Sequence, residues 1–174
     1  MKLIVKPTDG VPIEDLLVPE VKTSGSFGAD VYIQKTAVKS YYFQQGLAVK
    51  IPLGIHAILT DDNETTTYPY LLVERSSTCL KKPITQANSI GVIDPDYRDE
   101  LGWLVRSTLP IPAQTSWMDP ENCNKINIER GERLCQIIPY GTNELIKSVQ
   151  VVSEFPKQFQ STDRIGGMGS TGTK

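Results

Sequence analysis

Apolar residues along this chain fall in short β-branched or aromatic runs, interrupted every few positions by Gly, Pro, Asp and Asn. KLIVK at Lys2, ADVYI at Ala29, LAVKIPL at Leu47, GIHAIL at Gly54, YLLVE at Tyr70, LGWLV at Leu101, KINI at Lys125, LCQII at Leu134 and VQVV at Val149 have the length and composition of strands. No heptad or longer repeat and no long amphipathic helical stretch accompanies them. The pattern predicts a mainly β chain of the sandwich, jelly-roll or barrel type, without alternating βαβ units. One structural helical turn is expected at Pro12 to Leu17, where Pro12 suits a first helical position and Glu14 and Asp15 suit a helix start. Thr60 to Pro69 and Pro110 to Asn127 read as surface excursions. From Pro156 to Lys174 glycine, serine and threonine accumulate with little apolar surface. The expected organisation is one β domain over residues 1–155 and a flexible C-terminal arm over 156–174.

Composition narrows the function. With 174 residues, 39% apolar and 22% charged, the chain can build one compact core. A net charge of −2 argues against a general nucleic-acid surface and leaves room for local Arg and Lys clusters around a small phosphorylated ligand. No apolar run approaches the roughly 18 residues that span a bilayer. MKLIVKPTDG has no signal-peptide core before its first Pro and Gly, so an intracellular protein without a membrane partner is expected. Cys79, Cys123 and Cys135 are an odd, widely spaced set and read as reduced thiols.

The richest segment for chemistry is NSIGVIDPDYRDELGWLV, Asn88 to Val105. Two β-rich arms flank Asp94, Pro95 and Asp96, whose side chains suit a tight turn, and the expectation is a β-hairpin. Glu74-Arg75-Ser76-Ser77 places a guanidinium, two hydroxyls and backbone N–H groups where a strand ends, a combination suited to an oxyanion or to a capped turn. Gln136 puts an amide inside an apolar strand, as a satisfied core group or a ligand contact. GGMGSTG near the end could wrap phosphates through backbone N–H groups, but it has no Walker A lysine and no following helix. His56, the only histidine, reads as a strand residue inside GIHAIL. A zinc site would need it together with three cysteines lacking a CxxC pair. No nucleophile elbow marks a Ser-His-Asp triad. Asp61, Asp62 and Glu64 have the look of an acidic surface turn.

In their order these pieces resemble the homotrimeric dUTPases, dUTP diphosphatases of jelly-roll fold with a distorted β-barrel. FGADV at Phe27, ERSS at Glu74, NSIGVIDPDYRDE at Asn88, GERLCQII at Gly131 and IGGMGSTG at Ile165 are similar to that family's successive motifs and span nearly the whole chain. The resemblance implies hydrolysis of dUTP to dUMP and pyrophosphate by water attack on the α-phosphorus, assisted by Mg²⁺ and keeping uracil out of DNA. By that resemblance Asp94 deprotonates the water and Asp30 holds Mg²⁺ through its water shell. Arg75, Ser76, Ser77 and Gln136 hold the phosphates and the catalytic geometry. Asn88, Val92, Ile93, Asp94 and Gly102 surround uracil, and Tyr97 packs under deoxyribose. Arg164, Gly167, Met168, Gly169, Ser170 and Thr171 lie in the arm that closes over the nucleotide from a neighbouring subunit.

The chain departs from the family pattern at four places. Asp99 follows Tyr97-Arg98 where glycine is common, Met168 replaces an aromatic that caps uracil, and Arg164 lies one position from the expected arginine. Pro110 to Asn127 is longer than the usual connection. Among rivals, the dCTP deaminases share the fold, but their catalytic glutamate falls at Leu104, which cannot carry protons. A non-catalytic relative serving as a binding module would draw support from the altered fifth motif alone.

Overall fold

The computed structural model describes residues 1–34, 39–43, 47–110 and 123–161. Its strands in chain order are β1 (Lys2–Pro7), β2 (Ala29–Tyr32), β3 (Lys39–Phe43), β4 (Val49–Pro52), β5 (Ile55–Thr60), β6 (Thr67–Tyr68) and β7 (Tyr70–Glu74). After the single helical turn α1 (Thr78–Lys81) come β8 (Ile84–Gln86), β9 (Gly91–Ile93), β10 (Gly102–Ser107), β11 (Asn124–Ile128), β12 (Arg133–Pro139) and β13 (Ser148–Val151). Among the described residues they form four hydrogen-bonded sheets, ordered β13-β1-β5-β6, β4-β10-β8, β11-β3 and β2-β12-β7-β9. The molecule is mainly β and jelly-roll-like, and among the described residues the sheets do not join into a closed barrel.

Alternation decides which side of each strand is buried. Trp103 and Val105 of β10, Ile126 and Ile128 of β11, and Cys135 and Ile137 of β12 point into one continuous core with Leu3, Val5, Phe43, Ile51 and Leu72. β1 is buried on both faces. Ile4 and its register partner Ile58 turn away from that core and meet Phe155 and Phe159. Chain residues 152–160 thereby cover the outer face of the β1–β5 pair, with a short 3₁₀ turn at Lys157–Phe159.

The apolar runs named from sequence all contain strands. The turn expected at Pro12 to Leu17 is a 3₁₀ turn, Ile13–Asp15, entered from Pro12. Three expectations need correction. Thr60 to Pro69 is only partly an excursion: Thr60 is fully buried at the end of β5, and β6 pairs back through Leu59↔Tyr68 and Thr60↔Thr67. Asp61 closes the tight loop by accepting hydrogen bonds from the backbone N–H groups of Thr65 and Thr66, at 2.7 and 3.0 Å. The second excursion ends before β11, whose Asn124 Nδ2 donates to Ser107 Oγ and Leu109 O. Its middle, 111–122, lies outside the described residues.

The third correction matters most for function. Asp94 to Tyr97 does form a turn, closed by Tyr97 N–H donating to Asp94 O at 3.1 Å. The arms beside it do not pair as a hairpin. β9 pairs with β7, whereas β10 pairs with β4 and β8. The longer polar stretch Asp94 to Glu100 lets the chain leave one sheet and enter another, so the two arms become facing walls.

Candidate active site

Between those walls is a slot of about 210 Å³. Asn88, Val92, Ile93, Tyr97 and Gly102 line it, with Leu72, Gln86, Gly91, Trp103 and Leu104. β9 is the edge of its sheet, and β8 pairs with β10 only from Val105 onward. Backbone groups at Gly91–Ile93 and Gly102–Trp103 are therefore available on the slot side among the described residues, and such groups carry fixed donors and acceptors. The entry is tightly turned: Ile90 N–H donates to Asn88 O at 2.6 Å across Ser89, whose φ is +61°. A non-glycine residue in that region is held there by its surroundings.

The far wall is braced from several directions. Tyr97 Oη donates to Glu100 O at 3.0 Å, and Glu100 Oε1 accepts from Gly54 N–H at 2.9 Å. The Arg98 guanidinium donates to Pro95 O, Tyr97 O and Phe159 O at 2.7–2.9 Å. Desolvation lowers its pKa. His56 Nδ1 lies 2.8 Å from Arg98 O, and since a carbonyl only accepts, Nδ1 carries the proton.

A second concavity, about 330 Å³, is lined by Asp30, Arg75, Ser76 and Gln136, together with Lys22, Ser26, Phe27, Gly28 and Ile138. Asp30 and Gln136 are register partners across β2 and β12, so they share a face. The Asp30 carboxylate is 8% exposed and receives Arg75 Nε on Oδ1 at 2.7 Å and Arg133 Nη1 on Oδ2 at 3.3 Å. Arg75 Nη1 donates to Arg133 O at 2.9 Å, which fixes the plane of its guanidinium. Gly28 has no room for a side chain: a Cβ would come within 3.0 Å of Gln136 Oε1 and of Ile137 O. Ser77 stands at the start of α1 and does not line the cleft.

Among the described residues none lines both concavities. Leu72, at the slot, pairs with Ile137 on the inward face of the β2-β12-β7-β9 sheet, while Asp30, Gln136 and Ile138 occupy its outward face. Within one chain the sheet separates the slot-lining third-motif residues from Asp30, Arg75, Ser76 and Gln136 of the cleft. Arg164, Gly167, Met168, Gly169, Ser170 and Thr171 lie outside the described residues.

Sequence reasoning missed Gln86, Trp103, Gly28 and Lys22 as parts of these concavities, and Arg133 as a partner of Asp30. Gln86 ends β8 and carried no signal like that of Gln136, because β8 itself was not read from the sequence. Trp103 reaches the slot through strand partners the sequence did not assign, and Lys22 and Gly28 reach the cleft from the loop before β2.

No family model matches the chain. The deoxyuridine 5'-triphosphate nucleotidohydrolase of Hydrogenobaculum sp. is 32% identical over all of both chains. This chain belongs to the dUTPase family. The enzyme of the same name from Acinetobacter baylyi is 30% identical, again over the full length of both. Among solved structures, a mutant dUTPase of Staphylococcus bacteriophage 80alpha with dUpNHpp superposes with a TM-score of 0.55 at 20% identity, covering 98% of each chain.

The donor set of the dUTPase cleft agrees with a metal held through water. No group of three or more His, Cys, Asp or Glu side chains gathers among the described residues, so no protein cage is built. A single carboxylate, with both oxygens already accepting from arginine, keeps lone pairs for metal-bound water. Mg²⁺ commonly uses few carboxylates, several waters and substrate phosphates. No described helix is long and apolar enough to cross a membrane.

Proposed function

We propose that this dUTPase-family enzyme converts dUTP to dUMP and pyrophosphate inside the cell, at composite sites shared between copies of the chain in a homotrimer. The observation that carries this reading is the division just described. Nucleoside-type and phosphate-type concavities lie on opposite faces of one sheet, so a nucleotide bridges them when the slot of one copy faces the cleft of another. Cyclic assembly repeats that junction without leaving an open end.

In this reading Asn88, Val92, Ile93 and Gly102 hold uracil in the slot, and Tyr97, oriented through Glu100 O, supports the deoxyribose. Arg75, Ser76 and Gln136 hold phosphate oxygens, with Ser77 shaping the turn behind them. Asp30 fixes the Arg75 guanidinium and would help hold Mg²⁺ through the ion's water shell. When bound, that ion neutralises charge on the phosphate chain and assists departure of pyrophosphate. Asp94 accepts the proton of the attacking water. The arm, including Arg164 and Gly167 to Thr171, closes over the nucleotide, with Met168 covering the base by polarizable apolar surface.

Pyrophosphate release from dUTP in the presence and absence of Mg²⁺ tests the reaction. Wild-type protein is expected to be active only with the ion. Asp94→Asn keeps shape and loses the proton acceptor, so turnover should fall roughly 10²–10⁴-fold. Near-wild-type turnover in that variant would remove Asp94 from its role.

A further inference from the structure

Behind the slot, three side chains form a hydrogen-bonded chain whose direction is determined by chemistry. The indole of Trp103 is fully buried, and its Nε1–H donates to Gln86 Oε1 at 3.2 Å. Gln86 is 7% exposed, and its Nε2 donates to Leu72 O at 2.9 Å and to Asn88 Oδ1 at 3.1 Å. Its backbone N–H is anchored on Glu74 Oε2 at 2.7 Å.

An amide can generally be turned over without changing its shape, but here it cannot. A reversed Gln86 would set its NH₂ against the donor-only indole and its oxygen against the acceptor-only carbonyl of Leu72. With Gln86 held, the Asn88 atom that meets Nε2 has to accept, and that atom is Oδ1. Asn88 Nδ2, which lacks an acceptor among the described residues, is left to face outward from the network as a donor.

We propose that Gln86, locked by Trp103 and Leu72 O, is a positioning residue that sets the hydrogen-bond polarity of the nucleobase slot. It makes Asn88 present NH₂, so the slot selects a pyrimidine with a carbonyl oxygen at C4 over one with an amino group there. A 4-amino group would meet donor with donor at Asn88, which is exposed in the free chain, and the mismatch becomes costly once the bound base displaces water there. This inference rests on the slot holding the base.

The test compares binding of dUMP and dCMP, and kcat/KM for dUTP and dCTP, in wild type, Gln86→Glu and Gln86→Met. Measured at a pH high enough to ionise it, the carboxylate of the first variant only accepts and loses the bond to Leu72 O, so Asn88 turns its NH₂ toward it and offers Oδ1 to the slot. The expected result is a fall of roughly tenfold or more in the preference for uracil over cytosine, with dCMP binding gained as dUMP binding is lost. Gln86→Met fills the space without charge and removes the lock, so the preference should fall less while the protein stays folded. Equal weakening of both nucleotides, or an unchanged ratio in folded variants, would overturn the inference and leave Gln86 a purely structural group. Failure of wild type to bind dUMP would instead overturn the functional reading beneath it.

Discussion

Gly28 shows how one missing side chain positions another. Its α-carbon faces Gln136 so closely that a methyl group would lie 3.0 Å from Oε1, and on the other side backbone at Ile137 O blocks retreat. Gly28→Ala should therefore displace the Gln136 amide, cost about 1–3 kcal/mol of stability through overpacking, and lower kcat more than dUMP affinity. Denaturant unfolding with steady-state kinetics would check both parts. The cysteines supply a second residue-level prediction. Burial, reinforced by the neighbouring Asp30 charge, pushes the Cys135 thiol up, whereas Cys79 is exposed. A raised pKa leaves less thiolate at neutral pH, so iodoacetamide should modify Cys79 well before Cys135 in native protein, read by peptide mass. Comparable labelling at both would contradict the packed position of β12. Arg75 and Ser76, which line the cleft, were legible in the sequence because the ERSS run announces them. The Asp30–Arg75–Arg133 pairing was not, since it depends on strand register across β2 and β12.

At the scale of elements, the informative departure is the segment that alternates like a hairpin and folds as two walls. Local pattern gave both arms and the turn correctly, because β-branched runs and Asp-Pro-Asp act over a few residues. It could not assign partners, because β9 and β10 are claimed by β7 and β4 from elsewhere in the chain. KSYYF at Lys39 and the short β6 and β8 went unread for a similar reason: each is a strand only through its pairing. Arg98 holds the opened segment in shape, donating to two carbonyls within it and to Phe159 O, where residues 152–160 pack on Ile4 and Ile58. Arg98→Ala should cost about 2–4 kcal/mol, because three carbonyls lose a charged donor together. It should also impair uracil selectivity by loosening the wall that carries Tyr97. A wild-type unfolding midpoint in that variant would show that the clasp contributes nothing.

For the whole molecule, the mainly β architecture was readable from composition and periodicity, but the second apolar cluster around Ile4 and Phe155 and the separation of the two concavities were not. That separation follows from one fact of sheet geometry: neighbouring residues along a strand face opposite sides. Leu72 and Ile137 look inward to the slot and core, while Gln136 and Asp30 look outward to the cleft. In the proposed trimer a working site takes its slot from one copy and its cleft from another. Co-expression of Asp94→Asn with Arg75→Ala chains tests it most directly, because each variant spoils a different half. Either variant alone should be nearly inactive. With random assortment in equal amounts, about a quarter of sites would unite an intact slot with an intact cleft, restoring about that fraction of wild-type pyrophosphate release. Mixed trimers, verified by mass, that remain as inactive as the separate variants would contradict the composite site.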